Sequence, residues 1–339
     1  MTAMAFIRLV SSGGPRHGKR NFEVHVAAPF RLLGLSFPPS GLRFGLQYET
    51  MLRRLLLLVL ISSAPLMSQN RVTILYDAFG KHPAMKQDWG YSAFIEYNGK
   101  RILFDTGNDP AVLEQNAKAA KIDLSRLDFV VISHRHTDHS MGIGYLMKVN
   151  PTVKIYVPER GANIVGGPIP EQFLRRDPSL PPEMQYYGGG KPERFTVSSA
   201  WPQAHFELIT ENTEVLPGIW IVSTTSDNPG TKEMRENTLA LKTDHGLILF
   251  DGCSHAGVEN ILKAASKIDP HISMLFGGMH MVVAPIPEVD LLAKSLHDQW
   301  ELDGVAPGHC TGEPEFAALR REFKDHYVYA GLGTVIPIP

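Results

Sequence analysis

The sequence predicts an α/β fold that suits two packed β-sheets with helices outside, an αββα four-layer sandwich. Three observations point there. Strand-like runs outnumber helical ones, helical stretches recur at the outer connections of both halves, and each half holds a hairpin signal, at Asn98-Gly99 and at Asp244-His245-Gly246. Hydrophobic residues make up 43% and charged residues 20%, an ordinary globular composition, and 339 residues permit one large domain or two small ones. On these grounds alone other α/β layouts stay open.

The elements follow in order. Arg71 to Tyr76 reads as a first strand. Tyr91 to Tyr97 and Lys100 to Phe104 flank Asn98-Gly99, a pair that tolerates the positive φ of a tight hairpin. Pro110 to Lys121 suits a helix, with Asp109 as N-cap and proline at the first position. Leu127 to Ile132 is apolar and β-branched and reads as a buried strand. A helix is expected from Ser140 to about Asn150 and a strand over 153–157. Strands are then expected over 206–210, 219–224, 238–243, 247–251, 272–276 and 304–306, and helices over 258–267, 288–300 and 314–324. His245 falls in a hairpin turn, which makes it a turn residue and not a ligand. Residues 160–203 hold Gly166-Gly167-Pro168, Pro181-Pro182 and Gly188-Gly189-Gly190 without a dominant period. A loop of that length in a compact domain is usually functional or disordered. It reads as an insertion covering substrate, with Arg175, Arg176, Tyr186 and Tyr187 as contacts for an anionic or aromatic small molecule, or equally as a solvated excursion.

The charge is unevenly spread. Residues 1–50 hold six Lys/Arg and two Asp/Glu, whereas 69–339 hold 25 basic and 33 acidic side chains. An acidic body argues against a nucleic-acid backbone as the main partner. Met51-Leu52-Arg53-Arg54, the apolar run Leu55 to Ile61 and Ser62-Ser63-Ala64 have the layout of a secretory signal, and the run is too short to span a bilayer. This predicts that Met51 is the true start, that 1–50 is a spurious or disordered extension, and that 69–339 is one catalytic domain without a stable membrane anchor, periplasmic or secreted. If 51–68 is instead a buried helix, the protein is cytoplasmic.

The chemistry concentrates in Ser133-His134-Arg135-His136-Thr137-Asp138-His139, followed by Ser140-Met141-Gly142. Three histidines and one aspartate occupy six positions just past a strand end, where a rigid element aims several side chains at one point. Imidazole and carboxylate together suit Zn²⁺, with Mn²⁺ or Fe²⁺ as alternatives. Two clusters arise, His134 with His136 and Asp138 with His139, the layout of a two-metal site. Each cluster needs a further ligand. His255, His280 and His309 each follow a strand, so they compete for two places. The only cysteines, Cys253 and Cys310, each lie within two residues of one of these histidines. They are two small buried thiols, a disulfide in an oxidising compartment, or include one that touches metal.

Ser-His-x-His-x-Asp-His-x-x-Gly resembles the signature of the metallo-β-lactamase fold superfamily. Gly252-Cys253-Ser254-His255, Gly277-Gly278-Met279-His280 and Gly308-His309-Cys310-Thr311-Gly312 resemble the branch of dihydropterin–ribofuranosylaminobenzene 5'-phosphate synthase-like proteins. The resemblance spans roughly residues 70 to 335 and selects the αββα sandwich among α/β layouts. It implies His309 as the last metal histidine, His255 as the next ligand, and His280 as a contact to substrate or leaving group. Asp138 and His280 are the candidate catalytic residues. In relatives an aspartate at the position of Asp105 orients ligands from behind; a turn-capping role is the plainer alternative. The chain departs from the pattern at Cys253, where many hydrolases of this fold carry a metal-bridging aspartate. The bridge is then Cys253, Asp251 two residues earlier, or absent with His255 substituting.

These residues point to a hydrolase that uses a metal-bound hydroxide on a small ester, phosphoester or lactam-like substrate. Three alternatives remain: a pterin-related transferase or synthase, which a secretory signal would disfavour; an iron-dependent oxidoreductase, whose di-iron version His136 disfavours; and a non-catalytic binding protein. No Gly-x-Ser-x-Gly elbow or P-loop occurs, so a serine nucleophile or nucleotide cradle has no support.

Overall fold

A computed structural model describes residues 70–339, apart from 160–161, 169–175 and 194–195, and four two-residue strands nearer the amino terminus. The chain divides into a unit of residues 1–66 and a unit of residues 67–339. In the first, Leu9–Val10 pairs antiparallel with Glu23–Val24, and Arg31–Leu32 with Leu35–Ser36. The signal-like segment 51–68 lies outside the described residues.

The second unit holds two mixed sheets. One has seven strands: β1 (Arg71–Tyr76), β2 (Ser92–Tyr97), β3 (Lys100–Phe104), β4 (Phe129–Val131), β5 (Lys154–Pro158), β6 (His205–Ile209) and a carboxy-terminal strand at Val335–Pro337. Their spatial order is β6-β5-β4-β3-β2-β1 and then the carboxy-terminal strand. The second sheet runs β7 (Thr213–Leu216), β8 (Ile219–Thr225), β9 (Arg235–Thr243), β10 (Gly246–Asp251), β11 (Ile272–Gly277) and β12 (Gly304–Pro307). Both sheets turn from antiparallel to parallel pairing part-way across: β3, β4 and β5 are parallel, and so are β10, β11 and β12.

The period of two along each strand builds the layers. Val72, Ile74, Ile95, Ile102 and Phe104 face Ile221, Leu239, Ile248, Phe250 and Phe276 between the sheets. The alternate residues Phe94, Leu103 and Val130 pack under α1 (Pro110–Ala119) and a helix at Ile143–Val149. Leu247, Leu249, Leu275 and Val305 pack under α4 (Val258–Ala265), α5 (Ile286–Asp298) and α6 (Glu313–Phe323) on the other side. Here α2 denotes the turn Thr137–Ser140 and α3 the helix Ile143–Val149. The expected αββα sandwich is therefore present. The helix expected from Ser140 to Asn150 begins only at Ile143, and a separate turn, Thr137–Ser140, precedes it. Gly142 separates them, and a Cβ there would stand 2.1 Å from the Thr106 carbonyl oxygen. The close crossing of this turn over the end of β3 explains why the motif ends in glycine.

The insertion carries a two-stranded pairing, Gly167–Pro168 with Thr196–Val197, and short helical turns at Pro182–Met184 and Tyr186–Gly189. Arg176 donates to the carbonyls of Tyr186 and Gly190, so its guanidinium braces the loop itself. Arg175 lies outside the described residues. No helix among the described residues is long and apolar enough to cross a membrane.

Candidate metal centre

Five strands of the two sheets end at the same rim. Each of the five delivers its next residues there: β3 brings Asp105, β4 brings His134 to His139, β10 brings Cys253 and His255, β11 brings His280, and β12 brings His309. The carboxyl ends of parallel strands are the usual place for an α/β ligand site. Asn237 of β9 bolts the sheets together at this end, its backbone N–H donating to the Ser133 carbonyl at 2.8 Å and its amide to the Ile132 carbonyl.

Two clusters form. His134 Nε2 lies 3.0 Å from His136 Nδ1, and the His255 ring lies 4.7 Å from that of His134 and 4.9 Å from that of His136. His139 Nε2 lies 3.2 Å from His309 Nε2, and Asp138 Oδ2 lies 3.4 Å from His309 Nε2. The Cys253 sulfur belongs to both: it joins His134 and His255 in one group of donor atoms within 4.8 Å of one another, and His139 and His309 in a second. It sits 3.2 Å from His139 Nε2. Asp251 is in neither group. One of its oxygens accepts from Thr238 and the Gly252 N–H, the other from Ser254. The geometry thus gives the place between the clusters to Cys253 and makes Asp251 a brace for the loop that carries it.

A carboxylate stands behind each cluster. Asp105 Oδ2 is 2.7 Å from His139 Nδ1, and Asp105 also accepts the N–H and hydroxyl of Ser133. A proton on His139 Nδ1 leaves Nε2 a bare lone pair aimed into the site. Glu236 does the same for His255, with Nδ1 at 2.6 Å and its second oxygen accepting the Ala256 N–H. Asp77 accepts the backbone N–H of His309 and fixes the turn that presents it. Asp105, Ser254, His280 and His309 all hold positive φ, between 48° and 61°, a strained setting for non-glycine residues that clusters at functional sites.

Electrostatics match this arrangement. Burial, reinforced by neighbouring imidazoles, drives His134 far below its ordinary value and takes His136 and His255 to about 4. These rings are neutral donors at pH 7. Burial also opposes charge on His139, but Asp105 and Asp138 outweigh it and lift the ring to about 9, so a cation entering here would have to displace the Nε2 proton, while the Nδ1 proton stays on Asp105. Burial works against ionisation of Asp138, yet His309 and His139 hold it below the usual carboxylate range. Burial raises Asp77 to about 8 and Glu236 to about 7.

The donor set fits divalent cations. Tetrahedral zinc with nitrogen ligands at 2.0–2.1 Å places them about 3.3 Å apart, the range of the contacts above. His309 Nδ1 is buried without a hydrogen-bond partner, and its Nε2 faces another ring nitrogen. At most one proton can lie between two such nitrogens, and a shared cation resolves the packed lone pairs. His280 stands at the edge, its ring 4.4 Å from that of His255, and is exposed. Trp89, 47% exposed, lies 5.0 Å from the His309 ring on the other flank.

Sequence reasoning missed Glu236, Asp77 and Trp89. Arg235-Glu236-Asn237-Thr238 is a polar run at a strand start, and four consecutive polar residues do not show which of them turn inward. Asp77 directly follows a strand, the one signal it shares with Asp105.

The two-sheet fold and the grouped histidine and cysteine donors, which could hold metal ions, set the frame for comparison with known proteins. The profile of the metallo-β-lactamase superfamily matches residues 89–215. Over that segment the chain resembles the metallo-β-lactamase superfamily. More particularly, it is similar to a 7,8-dihydropterin-6-methyl-4-(β-D-ribofuranosyl)-aminobenzene-5'-phosphate synthase of Methanocaldococcus jannaschii, 25% identical over 294 residues, 78% of this chain and 95% of the relative. An uncharacterized protein of the same organism is 26% identical over 262 residues, 74% of this chain and 93% of that one. Among solved structures, a metal-dependent hydrolase of the β-lactamase superfamily superposes with TM-score 0.60 at 22% identity, covering 79% of this chain and 99% of that one, and so shares the fold.

Proposed function

We propose that the protein is a metal-dependent hydrolase with two cations, zinc before manganese or iron, acting on a small ester, phosphoester or lactam-like substrate. The observation that carries this reading is the pair of imidazole clusters with the Cys253 sulfur common to both. His134, His136 and His255 would hold one cation, and Asp138, His139 and His309 the other. When bound, such a pair supplies Lewis acidity and brings water to ionise near neutral pH. The chain's own residues do the rest. Asp105 and Glu236 keep the Nδ1 protons of His139 and His255 in place, so their Nε2 atoms face inward. Asp138, ionised at pH 7, accepts a hydrogen bond from the attacking water and orients it. His280, on the open side, donates to the oxygen that gathers charge or to the leaving group. Trp89 offers an aromatic face to the substrate body at one flank.

The test is a panel of p-nitrophenyl esters, phosphodiesters, lactones and lactams, run with metal-loaded and chelator-stripped protein. The reading expects turnover of one class, lost on stripping and restored by Zn²⁺ or Mn²⁺. Metal-loaded protein inert toward every class would overturn it.

One observation favours a second reading. The methanogen synthase aligns over 95% of its length, far more than a shared metal motif alone requires. Joining of a dihydropterin to a ribofuranosylaminobenzene phosphate, with no hydrolysis of the panel, would select that alternative.

A further inference from the structure

Cys310 and His280 belong to neither histidine cluster, yet both reach the sulfur that the clusters share. The Cys253 sulfur, the Cys310 sulfur and a His280 ring nitrogen lie within 4.8 Å of one another. The Cys310 thiol lies 3.7 Å from the Cys253 carbonyl oxygen and interacts with the Cys253 thiol and the His280 ring. Backbone geometry builds this corner. A Cβ on Gly278 would stand 2.3 Å from the Gly252 carbonyl oxygen and 2.8 Å from the Cys310 sulfur, so only glycine lets the three loops close. His280 is held at φ 54°. Both cysteines are buried while His280 is exposed, which closes the corner on the protein side and opens it at the imidazole.

We propose that Cys253, His280 and Cys310 form a third cation site, selective for a thiophilic ion. Two sulfurs and one imidazole suit a soft ion such as Cd²⁺ or Cu⁺, and the absence of an oxygen ligand in the trio disfavours Mg²⁺, Ca²⁺ and Mn²⁺. The exposed side leaves a coordination position for water or a small anion. Because Cys253 is common to all three donor groups, an ion seated here draws its sulfur from the pair of clusters. Excess soft metal should therefore inhibit the hydrolase, a consequence that rests on the proposed function, whereas the site itself does not.

The experiment is equilibrium dialysis of the full-length protein with Cd²⁺, read as bound ions per chain and as sulfur-to-cadmium charge-transfer absorption. Wild type should bind one more Cd²⁺ than Cys310→Ser or His280→Ala, with weaker charge transfer in Cys310→Ser. The first variant is nearly isosteric and the second changes an exposed side chain, so at least one folded comparison is available. Equal counts in wild type and both variants would overturn the site. His134→Ala separates the two ideas. If it loses a cluster ion but keeps the extra one, both stand. If it loses nothing while Cys310→Ser loses one, the third site stands and the two-cluster reading falls.

Discussion

Asp105→Asn is the sharpest probe of how the chain prepares its ligands. The substitution keeps shape, and asparagine tolerates the positive φ of 56° found there. It changes one thing, the direction of hydrogen bonds. Asp105 accepts three: from the Ser133 N–H at 2.7 Å, the Ser133 hydroxyl at 2.7 Å and His139 Nδ1 at 2.7 Å. An asparagine oxygen left on the Ser133 N–H turns its NH₂ toward His139, which then accepts at Nδ1 and carries its proton on Nε2. That proton points at Cys253 and His309, where a lone pair is required. The flipped amide instead sets two donors against each other at Ser133. Either way the Asp138–His139–His309 cluster loses affinity, by about 10- to 100-fold, ~1.4–2.7 kcal/mol, the usual loss on removing a carboxylate behind a ligating histidine. Chelator competition followed by metal analysis should show one cation weakened and the His134–His136–His255 cation retained. Unchanged affinity for both would refute the tautomer argument.

Three further predictions follow from the same geometry. His134→Ala should abolish activity and remove at least one cation per chain, checked by metal analysis and the hydrolysis panel together; full retention of both contradicts the assignment. Glu315 is fully buried with neither carboxylate oxygen hydrogen-bonded, and burial raises it to about 8. The unfolded chain releases this proton near pH 4.5 and the folded chain only near 8, so its contribution to stability is complete below 4.5 and is lost as pH rises toward 8. Glu315→Gln should flatten that slope and stabilise the protein at pH 8 by ~2–4 kcal/mol in urea unfolding, with little effect near pH 4.5; parallel pH profiles would count against it. Phe250 stacks on Phe276 at 4.7 Å between the sheets, and Phe250→Ala should cost ~3–5 kcal/mol by the same method.

What the sequence made legible follows from periodicity and proximity. Alternation along β1, β2, β9 and β10 is a local property, and so is the Asn98-Gly99 turn, which the structure forms as expected. The 134–139 cluster was visible because its donors sit within one loop. Glu236 and Asp77 were not, because their roles depend on which strand ends meet. The edge strands β7 and Val335–Pro337 also went unread: four and three residues carry too little pattern, and they exist only because a neighbouring strand pairs with them. The choice between Cys253 and Asp251 was likewise beyond sequence. The chain turns after β10, which points the cysteine into the rim and ties the aspartate to Thr238 and Ser254.

Strand ends remote in sequence are proposed to gather two cations around one sulfur. Anomalous diffraction from crystals of the zinc-loaded protein measures this directly. Two peaks are expected, one bonded to His134, His136 and His255 and the other to Asp138, His139 and His309, both beside Cys253. A single peak, or zinc bound with His255 and His309 both out of bonding reach, would contradict it.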